Sequence, residues 1–378
     1  MNAYLIESLA PLVFRNAKPF GHQANAQELA FPNPSTGAGL IRYLALSQGK
    51  VDNSHYDTNY QDLLKIQCFG VYLARFDDNK AIQIFVPKPA NALCLENDNK
   101  QIELIRLLPK AFDGDCGSDL PAGLLPIQPE KTLKGKPKGN INYWRLEDFI
   151  KWQQGEKLEY DTIKEGISTI PNDIRTHIMR DDDTHATVDG KLFQTASFDL
   201  GYQKNNDGFD SHRLGFVILS KQELDDDLAT LGGERRLSYF KKLKNQILFT
   251  KPTADEINQA GGFSLSFMTP VIFEQGYLPR WIDKNTMTGQ LPSGTKIKLI
   301  SVAVERWQAI SGWDSQDWKP KATRKAVSAG AVYWFELLDN NQCKEQDIDF
   351  LTAPLADNAY DQADGFGMAL LTAFKPNT

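Results

Sequence analysis

Three stretches of this chain carry residues whose types and spacing are suited to chemistry. The first is Leu231-Gly232-Gly233-Glu234-Arg235-Arg236. Paired glycines let the backbone turn tightly and present amide N–H groups, and two arginines follow at once. A glycine turn, exposed amides and a basic helix start together make a phosphate cradle. The same spacing also suits a plain loop-to-helix junction with a solvated charged turn. The second stretch is Trp307–Lys325, in which Trp307, Trp313 and Trp318 are interleaved with Lys319, Lys321, Arg324 and Lys325. Single-stranded RNA is held by such sets, bases on aromatic faces and phosphates on Arg and Lys. The alternative is that the tryptophans fill a core and the cations are solvated.

The third stretch, Ile174–Thr195, holds His177, His185 and Asp181-Asp182-Asp183. Its spacing fits no metal-ligand pattern, and the aspartates read as a turn between two strand-like pieces. His177 or His185 acting as general acid and base would require a poised pKa and a partner. The sequence has no P-loop, no Gly-x-Ser-x-Gly and no metalloprotease helix. Asp364-Gly365-Phe366-Gly367 reads as a glycine-rich turn before a last strand. No metal and no cofactor is expected.

The elements that must position these residues follow from periodicity. Residues 3–14 begin as a strand, with Pro11 pointing to an edge or bulge. Arg15 and Lys18 follow in a loop. Pro34 and Ser35 open a helix over Thr36–Leu46, with Leu40, Ile41, Leu44 and Ala45 inward and Arg42 on the opposite side. Strands are expected at Leu64–Phe76, Ala81–Val86, Leu214–Leu219, Phe263–Met268, Lys296–Val304, Gly330–Leu338 and Gly367–Phe374, and a short helix at Asn142–Gln153. Leu237, Phe240, Leu243 and Ile247 predict a helix from the Gly-Gly stretch to about Leu248. Residues 109–140, rich in Pro, Gly, Asp and Lys, read as a long loop. Strands and helices interleave in both halves, which gives an α+β fold of two units, divided as 1–205 and 206–378.

Composition bounds the function. With 378 residues and 41% hydrophobic content the chain has enough apolar mass for packed cores. Its net charge of −6 argues against a protein that grips nucleic acid over its whole surface, though not against a local basic groove. Cys68, Cys94, Cys116 and Cys343 form no C-x-x-C pair, so reduced thiols and a cytoplasmic setting are expected. Residues 1–12 lack the basic start of a secretion signal, and no apolar run approaches the ~20 residues of a membrane span.

Several short pieces then occur in a recognisable order. They are Asn16–Gly21, Pro34–Arg42, His185–Thr195, Leu231–Arg236, Ile310–Asp314, Lys319–Lys325 running into Ala329–Glu336, and Asp364–Gly367. In this order the chain resembles the third subunits of the type III-B CRISPR effector (Cmr) complex, within the repeat-associated RNA-binding superfamily. Two departures are Ala331, where that family usually has Ser, and a short terminal glycine-rich loop. The resemblance implies two ferredoxin-like (RRM-like) domains side by side, with inserted loops and hairpins. It implies binding of the 5′ repeat-derived tag of the guide RNA. It also implies docking against the large polymerase-like subunit and the first copy of the backbone subunit, with no catalysis, membrane or small-molecule substrate. Gly232, Gly233, Arg235 and Arg236 would hold phosphates, supported by Arg15, Lys18, Arg42 and Arg324, with Trp313 and Lys319 from the aromatic stretch. Two rivals stand beside this expectation. One is a metal-independent endoribonuclease of the same superfamily using His177 or His185; the other is a scaffold that binds protein only.

Overall fold

The computed structural model describes residues 1–14, 31–51, 61–79, 81–112, 114–121, 123–130, 134–139, 141–202, 204–205, 208–244, 247, 249–314, 319–339 and 342–376. Asn2–Ser8 lies inside the first sheet. Its run Ala3-Tyr4-Leu5-Ile6 is buried on both faces, so it reads as a continuous apolar stretch rather than an alternating one. It pairs antiparallel with Arg213–Ser220 on one side and Leu237–Lys242 on the other. Cys68–Phe76, Ile82–Pro87 and Tyr143–Arg145 extend the sheet one way, and Asp227–Thr230 forms the opposite edge. The strand ends at Ser8, ahead of Pro11, and lies in the sheet interior, so of the edge or bulge that Pro11 suggested the edge is not found.

The helix Pro34–Ser47 lies across this sheet. Proline in its first turn removes an N–H that has no helical partner anyway. Leu40, Ile41, Leu44 and Ala45 face inward as their spacing predicts, and join Tyr4, Ile6, Phe216, Ile218 and Phe240 in one cluster. The second sheet runs Thr288–Gln290, Lys296–Ala303, Val332–Leu337, Gly262–Phe267, Ala369–Ala373, antiparallel throughout. Short helices Ala254–Ala260, Glu345–Leu351 and Ala359–Asp364 accompany it.

The two sheets share an order. Counted along the chain in each half, the fourth principal strand lies beside the first, the first beside the third, and the third beside the second. In one half these are Asn2–Ser8, Cys68–Phe76, Arg213–Ser220 and Leu237–Lys242; in the other, Gly262–Phe267, Lys296–Ala303, Val332–Leu337 and Ala369–Ala373. A division after residue 205 would therefore cut the first sheet, because Arg213–Ser220 and Leu237–Lys242 are the direct neighbours of Asn2–Ser8. Backbone pairing over more than 200 residues is invisible to local composition.

Residues 109–140 are also less loop-like than expected. Ile127–Pro129 and Lys136–Pro137 flank Ile102–Pro109 and Ala92–Glu96 in a small four-stranded sheet. Leu125 ties it to the second half by donating to the Ile300 carbonyl and accepting from Ser301 Oγ. Among the described residues no helix is long and apolar enough to cross a membrane.

The halves meet through the other face of the first sheet, where Ala3, Leu5, Tyr72 and Val217 pack against Met268, Met368 and Leu370. Arg42 on the long helix pairs with Asp364 at 2.6 Å. Beside it, Gly365 approaches the Cys68–Gly70 backbone so closely that a Cβ would lie 2.6 Å from the Gly70 nitrogen and 2.8 Å from the Cys68 oxygen. Its φ of +93° is itself unfavourable for any side chain. Gly365→Ala is therefore expected to cost on the order of 3 kcal/mol, lowering the thermal unfolding midpoint by several degrees. Gly39→Ala, inside the long helix with no atom within 4 Å of its Cβ, should instead raise stability by about 0.5–1 kcal/mol.

Candidate nucleic-acid interface

The Leu231–Arg236 stretch is a tight hairpin turn, not a helix start. It joins the paired strands Asp227–Thr230 and Leu237–Lys242. The helix expected from Leu237 to Leu248 is a strand over Leu237–Lys242, in which Ser238 and Phe240 are buried while Leu237 and Tyr239 are exposed. The three-and-four spacing of the apolar residues fits a helix, but Asn2–Ser8 offers an unpaired edge, and pairing with it overrides the local pattern. Residue 248 lies outside the described residues.

The two glycines serve the turn. Gly232 has φ +77°, and a Cβ there would sit 2.4 Å from the Val13 oxygen and 3.0 Å from the Phe14 ring. The Gly233 amide donates to that same Val13 carbonyl at 2.8 Å. The expected cradle of outward glycine amides is thus closed, at Gly233, by the chain's own backbone. Glu234 and Arg235 follow with φ of 59° and 50°. Positive φ at both central positions suits the twist of a hairpin, and Asn-Gly is its usual occupant. A non-glycine left-handed residue costs roughly 1–2 kcal/mol, so the turn carries strain at the residues that bear its charges. Arg235 stands exposed at the tip and makes no ion pair among the described residues. Arg236 is partly turned back, with Nη2 donating to Glu234 Oε2 at 2.6 Å.

The other candidate cations are divided. Arg42 is largely buried, pairs with Asp364, and donates to the carbonyls of Leu64 at 2.9 Å and Ile66 at 3.3 Å. Burial raises the Asp364 pKa, and the nearby Arg42 charge only partly offsets this. Arg324 makes a bidentate pair with Asp361 at 2.6 and 2.8 Å, and that bond holds its pKa up. Both arginines are phosphate candidates by residue type, yet each is held by a carboxylate of the same short helix, Ala359–Asp364. Arg15 and Lys18 lie outside the described residues. Val13 and Phe14, just before Arg15, lie against the glycine turn.

Two tryptophans of the aromatic stretch are exposed. Strands Trp307–Ile310 and Arg324–Val327 form a hairpin, and Trp313–Asp314 pairs with Lys319–Pro320 beyond it. Trp307 and Trp313 are 59% and 49% exposed, too open for core residues. Lys319 is exposed beside Trp313's strand, and Lys325 Nζ lies 5.0 Å from the Trp307 ring centroid. Trp318 lies outside the described residues. Sequence reasoning missed Arg280 and Lys284, exposed in a groove of about 840 Å³ with Trp281, because they stand apart from any motif.

His177 and His185 each meet polar side chains of their own hairpin. They sit on the long hairpin Asn172–Arg180/Thr187–Phe198, with His177 Nε2 2.9 Å from Thr195 Oγ1 and His185 Nδ1 3.2 Å from Arg180. Asp181 Oδ1 accepts from Thr184, which makes the aspartate run a turn, as its sequence predicts. Among the described residues no three His, Cys, Asp or Glu side chains are grouped to hold a metal.

Comparison with known families decides the affiliation. Residues 4–373 match the family described as CRISPR-associated protein (Cas_Cmr3). The chain belongs to this family. It is accordingly a component of a type III CRISPR effector of the Cmr, repeat-associated RNA-binding kind. No curated protein matches it. Among solved structures, it is similar to a chain of the type III-B Cmr-beta bound to cognate target RNA and AMPPnP, at 15% identity and TM-score 0.48, covering 88% of this chain and 86% of that one. A chain of the same assembly bound to cognate target RNA alone gives 16%, 0.47, 88% and 86%. A chain of the Csm3-Csm4 subcomplex of a type III-A complex gives 10%, 0.38, 88% and 92%.

For this Cas_Cmr3 family member the pairing of Arg42 has a direct consequence. Arg42→Met is expected to destabilise the protein by about 3 kcal/mol, because it leaves the Asp364 carboxylate buried without a partner. Arg42→Met combined with Asp364→Leu should recover much of that loss. Denaturant unfolding of the two variants checks it; equal losses would mean that the pair is not what the site depends on.

Proposed function

We propose that the chain is a non-catalytic subunit that binds the 5′ repeat-derived tag of the guide RNA and docks to the large polymerase-like subunit and the backbone subunit. Family membership supports the setting, and one observation carries the RNA contact: Arg235, exposed and without an ion pair among the described residues, projects from a turn whose backbone is fixed on both sides. Trp313 and Lys319 supply a stacking surface and a cation at a second place. Arg236 contributes less, since Glu234 already neutralises it in part. Arg42 and Arg324 support the site by holding its frame, and Arg15 and Lys18 continue the chain that packs on the turn.

The shared strand order supports reading both halves as ferredoxin-like domains. The first keeps the helix after its first strand; the second has Ala254–Ala260 before its first strand and Glu345–Leu351 and Ala359–Asp364 before its last. The division then falls between Lys242 and Ala254 rather than after residue 205.

Arg235→Glu should weaken crosslinking of a 5′-tagged guide RNA and flatten the dependence of log affinity on log salt by about 0.7 for each phosphate no longer neutralised. Arg236→Glu should do less. Undiminished crosslinking by the Arg235 variant sinks the phosphate role of the turn. Discrete cleavage of repeat RNA by the purified protein, abolished by His177→Ala or His185→Ala, sinks the non-catalytic reading.

A further inference from the structure

Four exposed large apolar side chains lie on one face at one corner of the first sheet. Leu237 and Tyr239 point outward from their strand. Leu228 stands opposite Tyr239, and Leu9, whose amide donates to the Leu237 carbonyl, continues the row on the far side. Leu9, Leu228 and Leu237 are each about half exposed, and Tyr239 is 39% exposed. Register places Tyr239 opposite Glu7 and Lys241 opposite Leu5, so this is the face that Leu5 and Val217 bury under Met368 and Leu370. The second half covers the centre of the face and stops short of this corner.

The bordering strand, Asp227–Thr230, has one neighbour among the described residues. It is only four residues long and opens on Asp227, which accepts from the Leu228 amide at 2.8 Å, but it carries no proline and no lysine. An open edge and an apolar patch thus coincide. A contiguous apolar patch of this kind marks an interaction surface.

We propose that this corner receives an extended strand from a neighbouring protein subunit, added antiparallel or parallel to Asp227–Thr230. The proposal rests on the effector-subunit reading and assigns it a place. The edge requires backbone donors and acceptors, which a strand supplies. The leucines require apolar side chains on one side of that strand. Charge sets its polarity. Glu223, Asp225, Asp226 and Asp227 cluster at one end, and Lys242 and Lys50 pair with only Glu223 and Asp225; Arg235 stands at the other end. The added strand is basic beside Asp226 and Asp227 and leaves Arg235 to the RNA. RNA does not suit the corner, because leucines contact no phosphate and the aspartates repel it.

The test uses the full chain assembled with tagged guide RNA and the other effector subunits, read by native mass spectrometry and hydrogen exchange. The outward amides of Leu228 and Thr230 should be more protected in the wild-type complex than in the isolated chain, whereas those of Asp227 and Ala229 already face Leu237–Lys242. Leu228→Glu with Leu237→Lys should lower occupancy of one neighbouring subunit about tenfold or more. The thermal midpoint and tag crosslinking of the isolated variant should stay unchanged, and Leu228→Val with Leu237→Val should assemble normally. A full subunit complement in the charged variant, or no added protection of the Leu228 and Thr230 amides in the complex, overturns the proposal. Loss of tag crosslinking with all subunits retained gives the corner to RNA and also overturns it. If the wild-type chain takes up neither tag RNA nor any subunit, the effector-subunit reading falls, and the proposal falls with it.

Discussion

The relation between the two sheets depends on the place where Arg42 meets Asp364. A guanidinium has donors in a fixed plane, and here that plane must satisfy one carboxylate and two carbonyls, of Leu64 and Ile66. Few placements of the long helix against Ala359–Asp364 achieve this. Net stability is not the main gain, because a well-packed apolar pair could match it. The desolvation that raises the Asp364 pKa reflects that cost. What the pair fixes is orientation, and Gly365 makes the fixed approach sterically possible. Three residues further back, Asp361 holds Arg324 and thereby the tryptophan-bearing hairpin. One short helix therefore aligns the first half, the second half and the aromatic surface.

The glycine turn follows the opposite logic. There the arginine is pushed outward, and the backbone takes the strain. Gly232 and Gly233 close against Val13, which leaves the left-handed conformation to Glu234 and Arg235. A turn with Asn-Gly at its tip would be cheaper and would bear no cation. The sequence retains a strained arginine at the tip, and strained backbone of this kind concentrates at functional positions.

Much of the fold is legible from local pattern. Continuous apolar runs mark the central strands, and three-and-four spacing marks the inward face of Pro34–Ser47, because in both cases burial follows the local backbone period. Where the partner lies far along the chain, local pattern fails. Leu237–Lys242 scans as helix and folds as strand because Asn2–Ser8 is there to pair with it. The same long-range pairing joins strands from both sides of residue 205 in one sheet. The site is legible by residue type rather than by engagement. Arg42 and Arg324 look like Arg235 in sequence, but their carboxylates lie 322 and 37 residues away.

Charge arithmetic then takes a different meaning. The chain has 42 Lys and Arg against 48 Asp and Glu, and several prominent cations are consumed internally: Arg42, Arg145, Arg213 and Arg324 all hold carboxylates. A Debye length of about 8 Å at physiological salt screens whatever diffuse field remains. On the proposed reading, attraction to RNA would come from individual exposed cations such as Arg235 at its strained tip, each acting within its own neighbourhood. Such a surface would hold a strand at discrete points. An acidic body with an outward arginine on a rigid turn is therefore better suited to holding one short segment in register than to gathering RNA in general.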